Sequence, residues 1–222
     1  MTPLIRLENV SFRYGPARPV LDGVSLALHA GQRIGLVGDI GSGKTSLLHL
    51  IVGLLRPDGG AVEAFGIRPA GEKDYVRIRR RAGLMFQDAD DQLFCPTVAE
   101  DIAFGPVNLG CTCEQAHAIV HETLSVVGLD GYADRITYQL SAGEKRMVAL
   151  ATVLAMRPEV LLLDEPSANL DAGARGRLLG ILAARHEAML LVSHDLDMIR
   201  RLCTHVVRLR GGRAEPCRVE DV

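Results

Sequence analysis

The chain is 222 residues long and 48% apolar, enough to bury one large core or a core with an attached lobe. Its 25 Lys and Arg against 27 Asp and Glu leave a formal charge of −2, which excludes the global basic field of a nucleic-acid binder, so partners must be met by local surfaces. The longest apolar run, Leu47 to Leu55, is broken by His49 and Gly53 and falls short of the roughly 18–20 residues that cross a bilayer.

The N-terminus, Met1-Thr2-Pro3-Leu4-Ile5-Arg6, lacks the basic start, apolar stretch and cleavage site of a secretory signal, which predicts a cytosolic chain. Leu4 to Val10 and Val24 to Leu28 alternate apolar and polar residues, with Gly15, Pro16 and Pro19 between them, so an antiparallel pair of half-buried strands is expected. Arg33 to Val37 reads as a buried strand and Gly43 to Leu54 as a helix, stopped by the turn Arg56-Pro57-Asp58-Gly59-Gly60. Between them lies Gly38-Asp39-Ile40-Gly41-Ser42-Gly43-Lys44-Thr45, a Gly-x4-Gly-Lys-Thr pattern. Its glycines let backbone N–H groups turn inward and cradle phosphate at a helix N-terminus. Lys44 then reaches the β- and γ-phosphates, and the Thr45 hydroxyl ligates Mg²⁺, so the loop points to ATP chemistry.

From Thr97 to Met156 the pattern is mostly helical, with a Thr112 and Gln115 capping box and Gly128 as a helix stop, and it reads as an inserted helical lobe. The five cysteines are an odd number in a chain of this size and form no disulfide framework. Cys111 and Cys113 precede His117 and His121, which stand one helical turn apart; the group is either a convergent set of soft metal ligands or a polar helix start with solvated histidines. Leu140-Ser141-Ala142-Gly143-Glu144-Lys145 carries a Ser-x-x-Glu capping box that opens a helix running to about Met156. Val160-Leu161-Leu162-Leu163-Asp164-Glu165 forces a buried strand whose carboxylates emerge at its C-terminal end, Asp164 to hold Mg²⁺ through water and Glu165 to deprotonate the attacking water. Further strands at Met189 to Ser193 and His205 to Leu209, with a helix at Ala174 to Arg185, predict a parallel sheet with crossover helices.

With the Ser141 pentapeptide just ahead of the acidic strand, nearly the whole chain resembles the nucleotide-binding subunits of ABC transporters. The resemblance implies an α/β fold, an ABC-type P-loop NTPase with a RecA-like parallel-sheet core, an N-terminal antiparallel β subdomain and an inserted α-helical subdomain. It implies one nucleotide-binding domain over residues 1–222, with core and β subdomain at about 1–88 and 157–222 and the helical subdomain at about 89–156. Position by position it makes Tyr14 the aromatic stacked on adenine and Gln87 the residue between Mg²⁺, attacking water and membrane partner. Asp171, in Ser167-Ala168-Asn169-Leu170-Asp171, belongs to the loop that crosses to a partner subunit, and His194 senses the γ-phosphate. Ser46 extends the nucleotide-binding set past Thr45, and Ser141, Ala142 and Gly143 complete the ATP site of a second ATPase subunit, a copy of this chain or a paralogue. ATP and Mg²⁺ are the implied cofactors, and nucleic acid is no partner.

The chain departs from the family pattern with Ala142 in place of the usual Gly, Glu144 in place of a frequent Gln, and Asp39 and Ile40 in the phosphate loop. The Cβ of Ala142 predicts weaker closure of the ATP dimer, whereas Asn169, at a common Gly position, tolerates unusual backbone angles. The stretch Asp90-Asp91-Gln92-Leu93-Phe94, followed by Asp101 to Gly110, resembles the energy-coupling-factor importers. That subgroup implies a transmembrane coupling protein, a substrate-capture membrane protein and a peripheral place on the cytoplasmic face of the inner membrane. Gln92, Leu93 and Phe94 either line a groove for a coupling helix or pack under the helical lobe. The look of Glu144 to Met156 leans toward nickel or cobalt as cargo, with biotin or another vitamin as the alternative. A soluble ABC ATPase outside transport ranks lower, since neither a second cassette nor a coiled-coil insertion is present. A non-hydrolysing cassette also ranks lower, since Glu165 and His194 are both there. The chain stops at Val222, soon after the last predicted strand, so the extra C-terminal domain some relatives carry is not expected.

Overall fold

The computed structural model describes residues 2–16 and 19–218; Met1 and Val222, on which the readings of the two chain ends rest, lie outside them. In chain order the elements are β1 (Ile5–Phe12), β2 (Leu21–Leu28), β3 (Arg33–Val37), α1 (Lys44–Val52), β4 (Gly59–Ala64), α2 (Glu72–Arg79), β5 (Ala82–Met85) and α3 (Val98–Asn108). There follow α4 (Cys113–Val127), α5 (Ala142–Ala155), β6 (Val160–Asp164), α6 (Ala172–Ala183), β7 (Ala188–Val192), α7 (Leu196–Leu202), β8 (His205–Arg210) and β9 (Arg213–Cys217). The chain divides into two compact units, Met1–Leu84 with Glu159–Asp164 and His186–Val222, and Met85–Pro158 with Glu165–Arg185.

The first unit holds two sheets, a small one in the order β2-β1-β4 and a larger one in the order β5-β6-β7-β3-β8-β9. The expected antiparallel start is there: β1 pairs antiparallel with β2 and also with β4. The parallel core is there too, β3 running parallel to β7 and β8, and β6 parallel to β7. All five residues of β6 and all five of β7 are buried, the signature of central parallel strands covered on both faces. Burying the four apolar side chains Val160 to Leu163 contributes roughly 6–12 kcal/mol at about 1.5–3 kcal/mol each, which anchors the strand that ends in Asp164. Gly35 in β3 lets α7 pack close, because a Cβ there would stand 2.9 Å from Ile199 and 3.2 Å from the Cys203 sulfur.

Three local expectations change. Helix α1 stops at Gly53, whose left-handed φ of 76° caps it before the Arg56 to Gly60 segment is reached. Gly59 and Gly60 then open strand β4 instead of closing a turn. Strand β9, absent from the sequence reading, pairs antiparallel with β8 at the sheet edge, where its Pro216 is tolerated.

The second unit is helical through α3, α4, α5 and α6, packed on one another by apolar stripes such as Ala116, Val120, Leu124 and Val127 of α4. Capping boxes start α3 (Thr97 with Glu100), α4 (Thr112 with Gln115) and α5 (Ser141 with Glu144), and Gly128 ends α4 with φ 71°. Asp101, only 3% exposed, ties the loop ahead of α3 by accepting the N–H groups of Phe94 and Cys95 and the Thr137 hydroxyl, each at 3.0 Å.

Candidate active site

In the first unit, β3 delivers the chain to Gly38 and α1 takes over at Lys44. The turn between them requires glycine. Gly38 has φ 149° and Gly43 φ 100°, and added Cβ atoms would lie 2.3 Å from the Leu209 carbonyl oxygen and 2.7 Å from the Leu21 side chain. Among the described residues no side chain caps α1, so its first N–H groups and the positive end of its dipole are left to the loop. The buried Ser42 hydroxyl has no hydrogen-bond partner among the described residues. Lys44, 7% exposed, folds back so that Nζ donates to the carbonyls of Gly38 at 2.8 Å and Asp39 at 2.9 Å, spanning the loop's mouth. An uncapped helix start, an orphaned hydroxyl and a buried ammonium around one glycine cradle fit a phosphate chain.

Thr45 Oγ1 donates to Asp164 Oδ2 at 2.6 Å, and Asp164 is 2% exposed at the end of β6. A hydroxyl and a buried carboxylate side by side are hard oxygen donors of the kind Mg²⁺ takes. His49, on α1, has its imidazole pKa lowered by burial, a shift the Asp164 carboxylate opposes. Tyr14 is 54% exposed, stands edge-on to Phe12 at 4.8 Å, and hydrogen-bonds the Ser46 hydroxyl at 3.0 Å. Its ring therefore lies at the surface beside the loop helix rather than in the core. A cleft of about 550 Å³ opens beside Gly38 and Asp39 and brings in His194, Arg208 and Arg210.

In the second unit, Ser141 and Ala142 are exposed at the start of α5, with Gly143 half-buried behind them. Glu144 draws this helix start together. Its Oε2 accepts both the N–H and the hydroxyl of Ser141 at 2.8 Å, and its Oε1 accepts the Tyr132 hydroxyl at 2.6 Å. These bonds, led by Tyr132, hold the Glu144 carboxyl down at about 2, and Arg135, stacked 3.6 Å over the Tyr132 ring, adds to the effect. Gln87 is exposed just past the end of β5. Glu165 sits at φ 47°, in the left-handed region unusual for a residue with a Cβ. The buried Arg146 of α5 fixes both segments, donating to the carbonyl of Phe86 at 3.0 Å and to that of Glu165 at 2.5 Å. Asp171 caps α6 by accepting the Ala174 N–H at 2.8 Å, and Asn169 adopts φ 62°, as its residue type allows.

Residues 21–168 match the ABC transporter family, two-thirds of the chain. The chain belongs to the ABC transporter family. A protein of Brucella suis provisionally named an ABC transporter ATP-binding protein is 50% identical over 216 residues, covering 97% of this chain and 90% of that one. The cobalt import ATP-binding protein CbiO of Rhodobacter capsulatus is 43% identical over 217 residues, covering 96% and 78%. The solved structure of cbiO1 from Clostridium perfringens, described as part of the ABC transporter complex cbiONQ, superposes with a TM-score of 0.84 at 29% identity, covering 97% and 88%. This ABC protein is an ATPase subunit of a transporter, and its fold is the family's α/β cassette.

Several residues of this ABC ATPase escaped sequence reasoning. Arg146 is legible in retrospect: it stands three, four and seven residues before the buried Ala149, Leu150 and Val153, a charge on the apolar face of α5. Arg208 and Arg210 share one face of β8 by the alternation of a strand, but nothing local shows that this face meets the phosphate loop. The expectation for Gln92, Leu93 and Phe94 splits. The Gln92 amide is engaged inside the helical unit, accepting the Phe86 N–H and donating to the Ala149 carbonyl and the Thr152 hydroxyl, and Leu93 is buried. Only Phe94 is exposed, stacked edge-on against Phe104 at 4.9 Å. Cys111 and Cys113 do not join His117 and His121, since no cluster of three or more metal-ligating side chains forms among the described residues.

Proposed function

We propose that this ATPase powers an energy-coupling-factor type importer, with nickel or cobalt as cargo. The name of its CbiO relative, a cobalt import ATP-binding protein, supports a transition-metal cargo. Biotin or another vitamin is the alternative, because the motor in this architecture does not touch the cargo. Its partners are a second ATPase subunit, a transmembrane coupling protein and a substrate-capture membrane protein. No helix among the described residues is long and apolar enough to cross a membrane, in keeping with a peripheral place on the cytoplasmic face. The functional division we propose is a catalytic core with β subdomain over about 1–88 and 157–222 and a helical subdomain over about 89–156.

The observation that carries the hydrolytic reading is the 2.6 Å pairing of Thr45 with the buried Asp164, beside a glycine cradle closed by Lys44. In this reading the loop from Gly38 to Thr45, with Ser46, binds the phosphates, and Tyr14 packs on the adenine. Thr45, Asp164 and Gln87 hold Mg²⁺, which when bound neutralises phosphate charge. Glu165 accepts the proton of the attacking water, and His194 hydrogen-bonds the γ-phosphate. Ser141, Ala142 and Gly143 present an α5 N-terminus, worth about half a positive charge, to nucleotide held by the other subunit, and Asp171 meets that subunit. ATP then joins the two subunits and its hydrolysis releases them. Glu165→Gln tests this directly: ATP turnover should fall by about 10²-fold or more while an ATP-bound dimer accumulates on gel filtration. Unchanged turnover would reject the assignment.

A further inference from the structure

We propose that His117 and His121 form a two-ligand site for a borderline-soft divalent cation of the zinc class on the exposed edge of α4. The two Nε2 atoms stand 3.3 Å apart, with ring centroids at 4.5 Å. Two nitrogens each bound at about 2.0–2.1 Å to one cation are about 3.3–3.4 Å apart at a tetrahedral angle and about 2.9 Å at a right angle, so the spacing matches a tetrahedral bite. At 3.3 Å two N–H groups cannot face each other, so at least one Nε2 turns a lone pair toward its neighbour. The contact is long for a hydrogen bond, and replacing it by two metal bonds gives up little.

The backbone is already in place for such a site. Both histidines lie inside α4, which is held by the Thr112 and Gln115 capping box at one end and the Gly128 cap at the other. The adjoining face is locked by the buried Ala116, Val120 and Leu124. Only two exposed rings need to be ordered on binding, and water supplies the remaining positions. Of the acids nearby in sequence, Glu122 is engaged with Arg157 at 2.8 Å, which keeps it from competing for the rings. Cys113 stands one turn before His117, but the site needs no thiolate.

The test uses the full chain labelled with ¹⁵N-histidine and titrated with zinc chloride alone, the Nε2 signals being assigned with His117→Gln and His121→Gln. One equivalent of zinc should shift both signals together. Each single variant should bind about tenfold or more weakly, since the second ligand acts at the high local concentration set by the helix. Cys113→Ser should bind like the wild type, and amide exchange across α4 should slow on zinc addition, because the ion bridges successive turns. Circular dichroism of the two surface variants confirms that the helix is kept. Equal zinc affinity in the wild type and the His117→Gln/His121→Gln double variant, or loss of binding in Cys113→Ser alone, overturns the proposal.

Discussion

Arg146 offers the sharpest test of how the second unit supports catalysis. Its guanidinium, 3% exposed, donates to the carbonyls of Phe86 and Glu165 at 3.0 and 2.5 Å. One side chain thus fixes the residue before Gln87 and the backbone of Glu165 itself, held at φ 47°. A buried hydrogen bond from a charged donor contributes about 1.5–3 kcal/mol, so deleting the head group in Arg146→Ala should cost about 3–5 kcal/mol and leave two carbonyls without this donor. Arg146→Lys is the more informative change: it keeps the charge but replaces a planar fork by a point donor that cannot span both carbonyls in the same geometry. The Glu165 backbone then loses that hold, and in the role proposed above a displacement of about 1 Å of its carboxylate costs about 10²-fold in rate. We expect the turnover number of Arg146→Lys to fall by about that factor while the affinity for a fluorescent ATP analogue, which the proposed function assigns to the loop around Lys44, changes by less than about threefold. Phosphate release and equilibrium binding, measured on the same preparation, separate the two. Turnover within about threefold of wild type, with the fold intact by thermal melting, would refute the positioning role.

Tyr132→Phe removes the first cause of the lowered Glu144 pKa. Because that carboxyl is held at about 2 against an ordinary 4.5, its bonds stabilise the fold above pH 4.5 and are lost as the pH falls toward 2. The gap in melting temperature between wild type and variant should therefore be widest near neutral pH and narrow by pH 3, and a gap that does not vary with pH would contradict the assignment. Phe94→Ala removes the exposed ring stacked on Phe104 and, on the groove reading, should lower co-purification with the proposed transmembrane partner by about tenfold or more while sparing ATP binding. A variant that still assembles and supports uptake would discard the groove. Ala142→Gly should strengthen ATP-dependent dimerisation a few-fold, as read by light scattering, and identical dimerisation and ATPase rates would remove the steric argument.

By itself the sequence determined the elements whose signals are local. Gly38 to Thr45 spells its own turn, because positive φ and missing Cβ atoms are properties of individual glycines. The run Val160 to Asp164 came out residue for residue as a strand, since five buried positions ending in an acid leave little else to form. Thr112 with Gln115 and Gly128 bounded α4 because capping bonds reach only three or four residues. Helix α2 and strand β9 were not legible: α2 buries only Tyr75 and Ile78 among charged neighbours, and β9 is a short edge strand containing a proline. Tertiary structure alone decided the rest. It set Thr45 against Asp164, 119 residues away, turned Tyr14 outward onto Ser46, and split Gln92 and Leu93 from Phe94. It also placed Arg146 under Phe86 and Glu165 and left the cysteines out of any cluster with His117 and His121 among the described residues. The physical reason is one of range. Backbone preferences and caps act over a single turn, whereas the distance between two side chains is set by how entire strands and helices close-pack, which no short window of sequence contains.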